Sequence, residues 1–280
     1  MHCIVDADIL IYRCGFACEK KDWLLYYGDG PEMKQFDEKK ALNAWVKENG
    51  ITEYECESRL IVEPVENALN NVYTVLKAIK KALTPDKTTL YLSGEENFRY
   101  EIATIKPYKG NRDVDHRPVY MENIREYLIK RHRAELVDGQ EADDAVGIKA
   151  MQLREEGVPY VIVTTDKDLD MIPGAHYNWV KEEAYTITEE EAMLNFYLQL
   201  LTGDTTDNIQ GIPGVGPAKA QAILAEVASG SERDMYNAVW DAYRKAFPEL
   251  NEGEIDNMVW ETGNLLWIRR YEGQRWKAPL

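Results

Sequence analysis

Eight acidic residues stand in short groups along the chain, and carboxylates grouped in this way can bind hard metal ions. They are Asp6, Glu141, Asp143, Asp144, Asp166, Asp168, Asp204 and Asp207. Acids without histidine or cysteine partners favour Mg²⁺ or Mn²⁺ over Zn²⁺. Two such ions, roughly 4 Å apart, can hold a phosphodiester in line for hydrolysis. The chemistry that these residues predict is therefore metal-assisted phosphate hydrolysis.

Helix capping is the simpler interpretation of the same acids, because Asp and Glu are common at the start of a helix. Capping suffices for any single member of the set. It does not explain three acids within residues 141–144 together with two more within residues 166–168. We therefore favour the metal site.

The predicted strands and helices would bring six of these acids together. The first acid ends a short buried strand over residues 3–5, and the pair at 166–168 follows a second strand at 159–164. The three acids at 141–144 open a helix over 142–153. In a parallel sheet, these strand ends and helix starts share one edge, where open α/β folds build their sites. Like charges crowded there cannot all stay ionised without compensation.

The chain as a whole first alternates strands with helices and then becomes helical. Apolar residues at helical spacing predict a helix over 64–83, and residues 88–92 have a strand pattern. This alternation indicates a parallel α/β sheet. Four further helices are predicted at 189–201, 217–228, 232–246 and 254–268. We expect an irregular insertion over 19–63, a core domain over 1–185 and a helical domain over 186–280.

A glycine-rich turn before the second of those four helices has a composition suited to phosphate binding. Gly214, Val215 and Gly216 would form a tight hairpin that leaves backbone N–H groups exposed, with Lys219 three residues further on. Such N–H groups bind phosphate without side-chain charge. An ordinary glycine-rich helix connection is the alternative. The run Gly-Ile-Pro-Gly-Val-Gly is more specific than a lone pair of glycines.

The segment over residues 99–133 is electropositive. It contains nine basic and five acidic residues, a net charge of +4. Within it, Lys106, Tyr108, Lys109 and Arg112 combine cations, an aromatic ring and a neighbouring glycine, which suits a single-stranded phosphate backbone. A solvated loop with incidental charge is the alternative. The position of this loop between two acidic groups favours binding.

Taken together, the motifs resemble the flap endonuclease / 5′–3′ exonuclease family, most of all short phage-encoded exonucleases and the 5′-nuclease domain of bacterial DNA polymerase I. The matching motifs are at residues 5–6, 108–112, 141–144, 165–168, 203–208 and 211–216. The resemblance implies a PIN-like α/β nuclease core with a parallel sheet and a short arch at about 99–117. It also implies a C-terminal helix–three-turn–helix (helix–hairpin–helix) region that binds DNA.

The resemblance also implies a role for each matching residue. The acids at the first metal would be Asp6, Glu141, Asp143 and Asp144. Those around the second metal would be Asp144, Asp166, Asp168, Asp204 and Asp207. Lys109 and Arg112 would be the catalytic cations at the base of the arch, beneath which the 5′ single strand passes. The hairpin Gly214–Gly216 would bind the duplex backbone, with a K⁺ ion held by its carbonyls.

The expected reaction is hydrolysis near the 5′ end of DNA, using two Mg²⁺ or Mn²⁺ ions. The expected substrate is DNA with a 5′ end or a 5′ flap, an RNA–DNA hybrid being a further candidate, and the protein is expected to be a monomer. A non-catalytic DNA-binding relative and a PIN-type ribonuclease are the alternatives. Eight acids argue against the first, and the glycine-rich hairpin argues against the second.

One motif departs from the family pattern. Family members commonly have an Asp at the end of the strand before the arch, where this chain has Leu92, Ser93, Gly94 and Glu95. Ser93 could take that place through a water molecule, or Glu95 could reach the site. The departure is the best support for the non-catalytic alternative.

Composition sets the remaining expectations. The chain has 280 residues, 45% of them hydrophobic, which excludes wholesale disorder. Its net charge of −16 requires DNA contact to run through the basic segment, backbone amides and metals. The four cysteines do not form a disulfide framework, so free thiols are expected. Without a leader or a membrane-spanning run, we expect a soluble cytoplasmic protein, in the host cytoplasm if phage-encoded.

Overall fold

The computed structural model describes residues 1–28, 33–111, 117–228 and 230–279. The chain divides into two compact units. The first comprises residues 1–9, 79–116 and 129–280, and the second comprises residues 10–78 and 117–128. The division into domains over 1–185 and 186–280 stays a prediction.

The elements are numbered in chain order. The strands are β1 (His2–Asp6), β2 (Glu19–Tyr27), β3 (Met33–Phe36), β4 (Tyr54–Val62), β5 (Lys87–Asn97), β6 (Glu135–Gly139), β7 (Tyr160–Val163), β8 (Gly174–Asn178), β9 (Glu183–Ile187), β10 (Gly203–Asp204) and β11 (Ile209–Gln210). The helices are α1 (Asp8–Phe16), α2 (Lys39–Glu48), α3 (Val65–Leu83), α4 (Arg99–Ile102), α5 (Met121–His132), α6 (Ala142–Glu155), α7 (Glu189–Thr202), α8 (Pro217–Leu224), α9 (Glu232–Ala246) and α10 (Glu252–Leu266). A short 3₁₀ helix covers Asp168–Met171.

The first unit contains a six-stranded sheet in the order β6-β5-β1-β7-β8-β9. All neighbouring strands are parallel except β8 and β9, which are antiparallel. The central strands are nearly uniform apolar runs: Cys3, Ile4 and Val5 are completely buried, and Ile162 packs in the same core cluster as Val146 of α6. Such runs are typical of parallel strands covered on both faces. The predicted parallel α/β sheet is confirmed.

The helices after residue 188 have their own apolar core within the first unit. Phe196, Tyr197 and Tyr243 are at its centre, and Tyr108 and Met171 belong to the same cluster. Helices α7, α9 and α10 each begin with a capping box, in which the N-cap side chain and the third helical residue bond each other's backbone N–H. These caps fix where the three helices begin.

The second unit contains a three-stranded antiparallel sheet in the order β3-β2-β4, with helix α2 beside it. Leu25, Leu42 and Val46 form its small core. The expectation of an irregular insertion over residues 19–63 is therefore wrong. Strand β4 was not recognised because nearly all its residues are exposed and acids alternate along it, so it has no apolar period.

Two further expectations concern the whole chain. All four cysteines are free thiols, as predicted. In the described ranges, no helix combines the length and the apolar character that crossing a membrane requires.

Candidate metal centre and nucleic-acid interface

The charges of acidic side chains from three segments interact at the carboxyl edge of the parallel sheet. Asp143 lies in the first turn of α6, next to the ends of β1 and β7. Burial raises the pKa of Asp143 well above its ordinary value, and the charges of Asp6 and Asp166 raise it further. Glu141 and Asp168 add smaller effects in the same direction. The structure thus brings these five of the eight predicted acids together, and the charges of Asp204 and Asp207 also raise the pKa of Asp168.

Asp6 is held by two hydrogen bonds at the end of β1. The Thr164 hydroxyl donates to its Oδ2 at 3.1 Å, and the Asp8 backbone N–H donates to its Oδ1 at 3.1 Å. Burial nevertheless raises the pKa of Asp6, helped by the charges of Asp8 and Asp166. The Thr164 hydroxyl also accepts the Asp166 N–H at 3.0 Å. Thr164 therefore connects Asp6 at the end of β1 with Asp166, which follows β7. Its position after a strand does not by itself predict this role.

Asp168 begins the 3₁₀ helix and is held from two sides. The Asp168 backbone N–H donates to Oδ1 of Asp166 at 2.9 Å. The Gln199 side chain of α7 donates to Oδ1 of Asp168 at 2.5 Å. Burial and the charge of Asp166 raise the pKa of Asp168 to about 7. Gln199 could not be predicted from the sequence, because no pattern in helix α7 distinguishes it from the other polar residues of that helix.

Asp204 and Asp207 lie on a tight turn between β10 and β11. Gly203 pairs with Gln210 and has φ of +66°, and a Cβ atom there would lie 2.3 Å from the Gly211 nitrogen. Only glycine fits this close backbone approach without strain. Burial raises the pKa of Asp204.

The turn that contains Asp207 is joined to the predicted base of the arch by hydrogen bonds to backbone carbonyls. The Lys109 N–H donates to the Asp207 carbonyl at 2.9 Å. The Asn208 side chain donates to the Pro107 carbonyl at 2.8 Å, and that of Asn111 donates to the Thr205 carbonyl at 2.7 Å. The two loops consequently form one platform at the site, although 94 or more residues separate each pair of partners.

Two side chains of this platform contact Glu141 and Asp207 together. The Tyr108 hydroxyl lies 2.9 Å from Oε2 of Glu141 and 2.8 Å from Oδ2 of Asp207. The Lys109 ammonium forms an ion pair with Glu141 and lies 3.6 Å from Oδ2 of Asp207. A cationic group thus already occupies the space between these two carboxylates.

The predicted nucleic-acid contacts of the arch have different environments. Lys106 is exposed, as a DNA-binding cation must be. Tyr108 is only 4% exposed and packs in the C-terminal core, so in this structure its ring is not available for stacking on a base. Arg112 lies outside the described residues.

Asp144 is set apart from the other acids by its partners. Its oxygens accept two hydrogen bonds from the Arg99 guanidinium, at 2.6 and 3.0 Å, and the N–H groups of Glu141 at 3.1 Å and Arg269 at 2.9 Å. Burial alone would raise the pKa of Asp144, but Arg99 and these bonds lower it. The geometry departs from the expectation of a metal ligand: Asp144 caps α6 and pairs with a buried arginine.

The two residues considered for the place of the missing Asp have different side-chain environments. The Ser93 hydroxyl accepts the Ala142 N–H at 2.9 Å and so caps α6, and Glu95 is exposed. Their backbone N–H groups donate to other carboxylates, that of Ser93 to Asp8 at 3.2 Å and that of Glu95 to Asp138 at 3.2 Å.

The glycine-rich hairpin precedes α8 as predicted. Gly214 has φ of +72° and is exposed, and Gly216 is the N-cap of the helix, followed by Pro217 at its first position. Val215 is buried in the C-terminal core and donates its N–H to the Ile212 carbonyl at 3.1 Å. Lys219 is exposed one turn into the helix. The hairpin is thus anchored by its valine and presents its glycines to solvent.

The donor set fits a hydrated hard cation. Among the residues that the structure describes, no three His, Cys, Asp or Glu side chains are arranged to coordinate one metal ion directly. Mg²⁺ does not require one, because it keeps several waters and is often bound through one or two carboxylates. Carboxylates that are buried beside one another, with raised pKa values, are stabilised by a positive charge.

The sequence is similar to proteins of known class. Residues 57–197 match the family model described as 5′–3′ exonuclease, N-terminal resolvase-like domain. A 5′–3′ exonuclease of Buchnera aphidicola is 27% identical over 191 residues, covering 62% of this chain and 65% of that protein. The thermostable DNA polymerase I of Thermus aquaticus is 30% identical over 181 residues, covering 60% of this chain and 21% of that protein. The chain therefore spans 65% of the length of the first relative and about a fifth of the second.

Two solved structures share the fold. The T5 5′-exonuclease with bound zinc has a TM-score of 0.55 at 16% identity, covering 95% of this chain and 89% of that one. A bacteriophage T5 flap endonuclease, in complex with DNA and metal ions, has a TM-score of 0.54 at 15% identity, covering 95% of this chain and 98% of that one.

Proposed function

The chain belongs to the 5′–3′ exonuclease family, and from this premise we propose that it hydrolyses DNA phosphodiesters near 5′ ends with the help of divalent metal ions. Its fold is the PIN-like α/β nuclease fold. The observation that carries the proposal is the carboxylate cluster around Asp143, whose other members raise the pKa of Asp143 and so favour a bound cation. The metal ions and DNA in the solved T5 relatives support it.

We propose two Mg²⁺ or Mn²⁺ ions. Asp6, Glu141 and Asp143 would hold the first, and Asp166, Asp168, Asp204 and Asp207 would hold the second. Asp144 would position α6 through Arg99 and not bind an ion directly. When bound, the ions would supply a hydroxide at neutral pH and stabilise the leaving oxygen.

Lys109 would stabilise the negative charge that develops on the scissile phosphate. Its ammonium lies between Glu141 and Asp207, close to where the ions would be held. Once these carboxylates are neutralised, the ammonium is available to a phosphate oxygen. Arg112 would act beside it, and Tyr108 would position Glu141 and Asp207.

The DNA would be bound through its backbone, so base identity would have little effect. The exposed Gly214 and Gly216 and the neighbouring Lys219 would contact the duplex, with a K⁺ ion at the hairpin carbonyls. Lys106 would contact the 5′ single strand. In this proposal, residues 1–185 form the nuclease core, residues 186–280 form the helical DNA-binding region, and the protein acts as a monomer.

Asp143→Asn and Asp166→Asn test the proposal. Each is expected to abolish cleavage of a 5′-labelled DNA flap in Mg²⁺ while the far-ultraviolet circular dichroism spectrum is retained, and EDTA is expected to stop the wild-type enzyme. Asp241→Asn, at an exposed position on α9, is the matched control and should cleave at the wild-type rate. Wild-type rates in the first two variants would contradict the assignment.

Comparison of substrates separates the alternatives. Cleavage of a 5′-labelled duplex or a 5′ flap supports the proposed nuclease. Tight DNA binding without cleavage supports the non-catalytic relative. Cleavage confined to the RNA strand of an RNA–DNA hybrid supports the ribonuclease.

A further inference from the structure

The turn between β1 and α1 contains a carboxylate that has no role in the proposal so far. Asp8 is half-buried and donates its backbone N–H to Oδ1 of Asp6 at 3.1 Å. Both of its own carboxylate oxygens lie 3.2 Å from the backbone nitrogen of Ser93. Asp8 is therefore located between the ends of β1 and β5, directly beside Asp6.

The carboxylate of Asp8 lies beside the proposed site, because its backbone N–H donates to Asp6 and its own oxygens accept the Ser93 N–H. Two carboxylates this close repel each other in the absence of a cation. A divalent ion beside Asp6 would relieve the repulsion and would be attracted by both.

Strand β5 does not direct a carboxylate of its own to this edge. Position 94 is a glycine, and a Cβ atom there would lie 1.7 Å from Oδ1 of Asp138, so the place of a side chain is taken. Glu95 is exposed. Two carboxylates of neighbouring elements accept backbone N–H groups of β5: Asp8 of α1 accepts that of Ser93, and Asp138 of β6 accepts that of Glu95.

We propose that Asp8 is a positioning residue of the metal centre, which holds the divalent ion bound at Asp6 from the β5 side through the waters of the ion. This inference rests on the proposed function. A carboxylate has acceptor sites for about four hydrogen bonds, so it can accept the Ser93 N–H and also face ion-bound water. Mg²⁺ keeps several of its waters.

Asp138 provides a matched control for the structural role. Like Asp8, it accepts one backbone N–H of β5, but it is exposed. Asn in place of either residue keeps an oxygen that can accept the same N–H. Only the charge is removed.

The test measures Mn²⁺ binding to the DNA-free protein by electron paramagnetic resonance. Asp8→Asn is expected to weaken the binding by about 10- to 100-fold, the range for residues around a metal's direct ligands. Asp8→Glu is expected to restore part of the loss. Asp138→Asn should bind as the wild type does.

Thermal unfolding in EDTA and at one fixed, subsaturating Mn²⁺ concentration is the second readout. Asp8→Asn should be no less stable than the wild type in EDTA, because one repulsive charge is gone, but should gain less stability from a fixed, subsaturating Mn²⁺ concentration. Unchanged Mn²⁺ affinity in Asp8→Asn, or an equal loss in Asp138→Asn, would overturn the inference. Wild-type protein that binds Mn²⁺ through Asp8 but leaves DNA intact would refute only the proposed nuclease activity, and absence of any Mn²⁺ binding would overturn both.

Discussion

Burial of Asp143 and Asp168 among other carboxylates gives the metal-free protein an unusual dependence on pH. The pKa of Asp168 rises from 3.8 to about 7, and that of Asp143 also rises. Between these pH values the folded state holds protons that the unfolded state has released. By linkage, these groups therefore lower the free energy of unfolding as the pH rises from about 4 to 7.

We expect this effect to appear as a difference between wild-type and Asp168→Asn protein. In EDTA, the free energy of unfolding of the wild type should fall relative to that of the variant between pH 5 and pH 7.5. Buried histidines act in the opposite direction, because burial lowers the pKa of His2, His132 and His176 below 6.5 and stability is lost as the pH falls. They are common to both proteins and cancel in the difference, which urea unfolding at each pH measures. Parallel pH profiles would contradict the raised pKa of Asp168.

Single residues could be predicted from the sequence only where spacing fixed their position. Asp6, Asp143 and Asp166 follow strand ends or open a helix, so the topology alone places them at one edge. Thr164 and Gln199 have roles that arise from tertiary contacts and leave no local pattern. Asp8 stands two residues after Asp6, at the start of a helix. It was not predicted as part of the site, because capping is the ordinary explanation for an acid at that position.

At the scale of elements, a buried ion pair connects α4, α6 and the segment after α10. Arg99 is 2% exposed, and besides Asp144 its guanidinium bonds the carbonyls of Leu265 and Trp267, each at 2.8 Å. Asp144 in turn accepts the Arg269 N–H. The pair therefore fixes the start of α6, and with it Glu141 and Asp143, against the C-terminal segment.

Arg99→Met should destabilise the protein by about 3–5 kcal/mol, because it leaves the Asp144 carboxylate buried without its partner. The double variant Arg99→Met/Asp144→Leu should recover part of the loss. Arg154→Met is the matched control, since its pair with Glu189 is exposed and should contribute about 1 kcal/mol or less. Urea unfolding measures all three, and equal losses in Arg99→Met and Arg154→Met would show that burial of the pair is unimportant.

Elements with a strong period could be predicted, and those without one could not. Buried runs identified β1 and β7, and helical spacing identified α3 and the helices after residue 188. Strand β4 was not predicted, because nearly all its residues are exposed and its first half contains two acids. The two-residue strands β10 and β11 were not predicted, because the pairing of Gly203 with Gln210 and of Asp204 with Ile209 is too short to show a period.

At the scale of the whole molecule, a net charge of −16 opposes the approach of DNA. The acids proposed to hold the metal ions are seven of the acidic residues, and bound ions would neutralise them in part. Attraction would then come from exposed basic residues such as Lys106 in the segment 99–133 and from Lys219 beside the hairpin. Each cation that contacts a phosphate should contribute measurably to the salt dependence of binding.

Lys219→Ala is expected to weaken DNA binding about equally for all sequences and to reduce the slope of log K against log[KCl] by about 1, because one phosphate contact is lost. The measurement uses fluorescence anisotropy of a 5′-flap DNA, with Asp143→Asn present in every protein so that no cleavage occurs. Lys245→Ala, at an exposed position on α9, removes the same charge away from the hairpin and should leave the slope unchanged. Equal reductions in both variants would mean that net charge alone governs binding. A reduction confined to Lys219→Ala places the duplex at the hairpin, and the acidic surface elsewhere then faces away from the DNA.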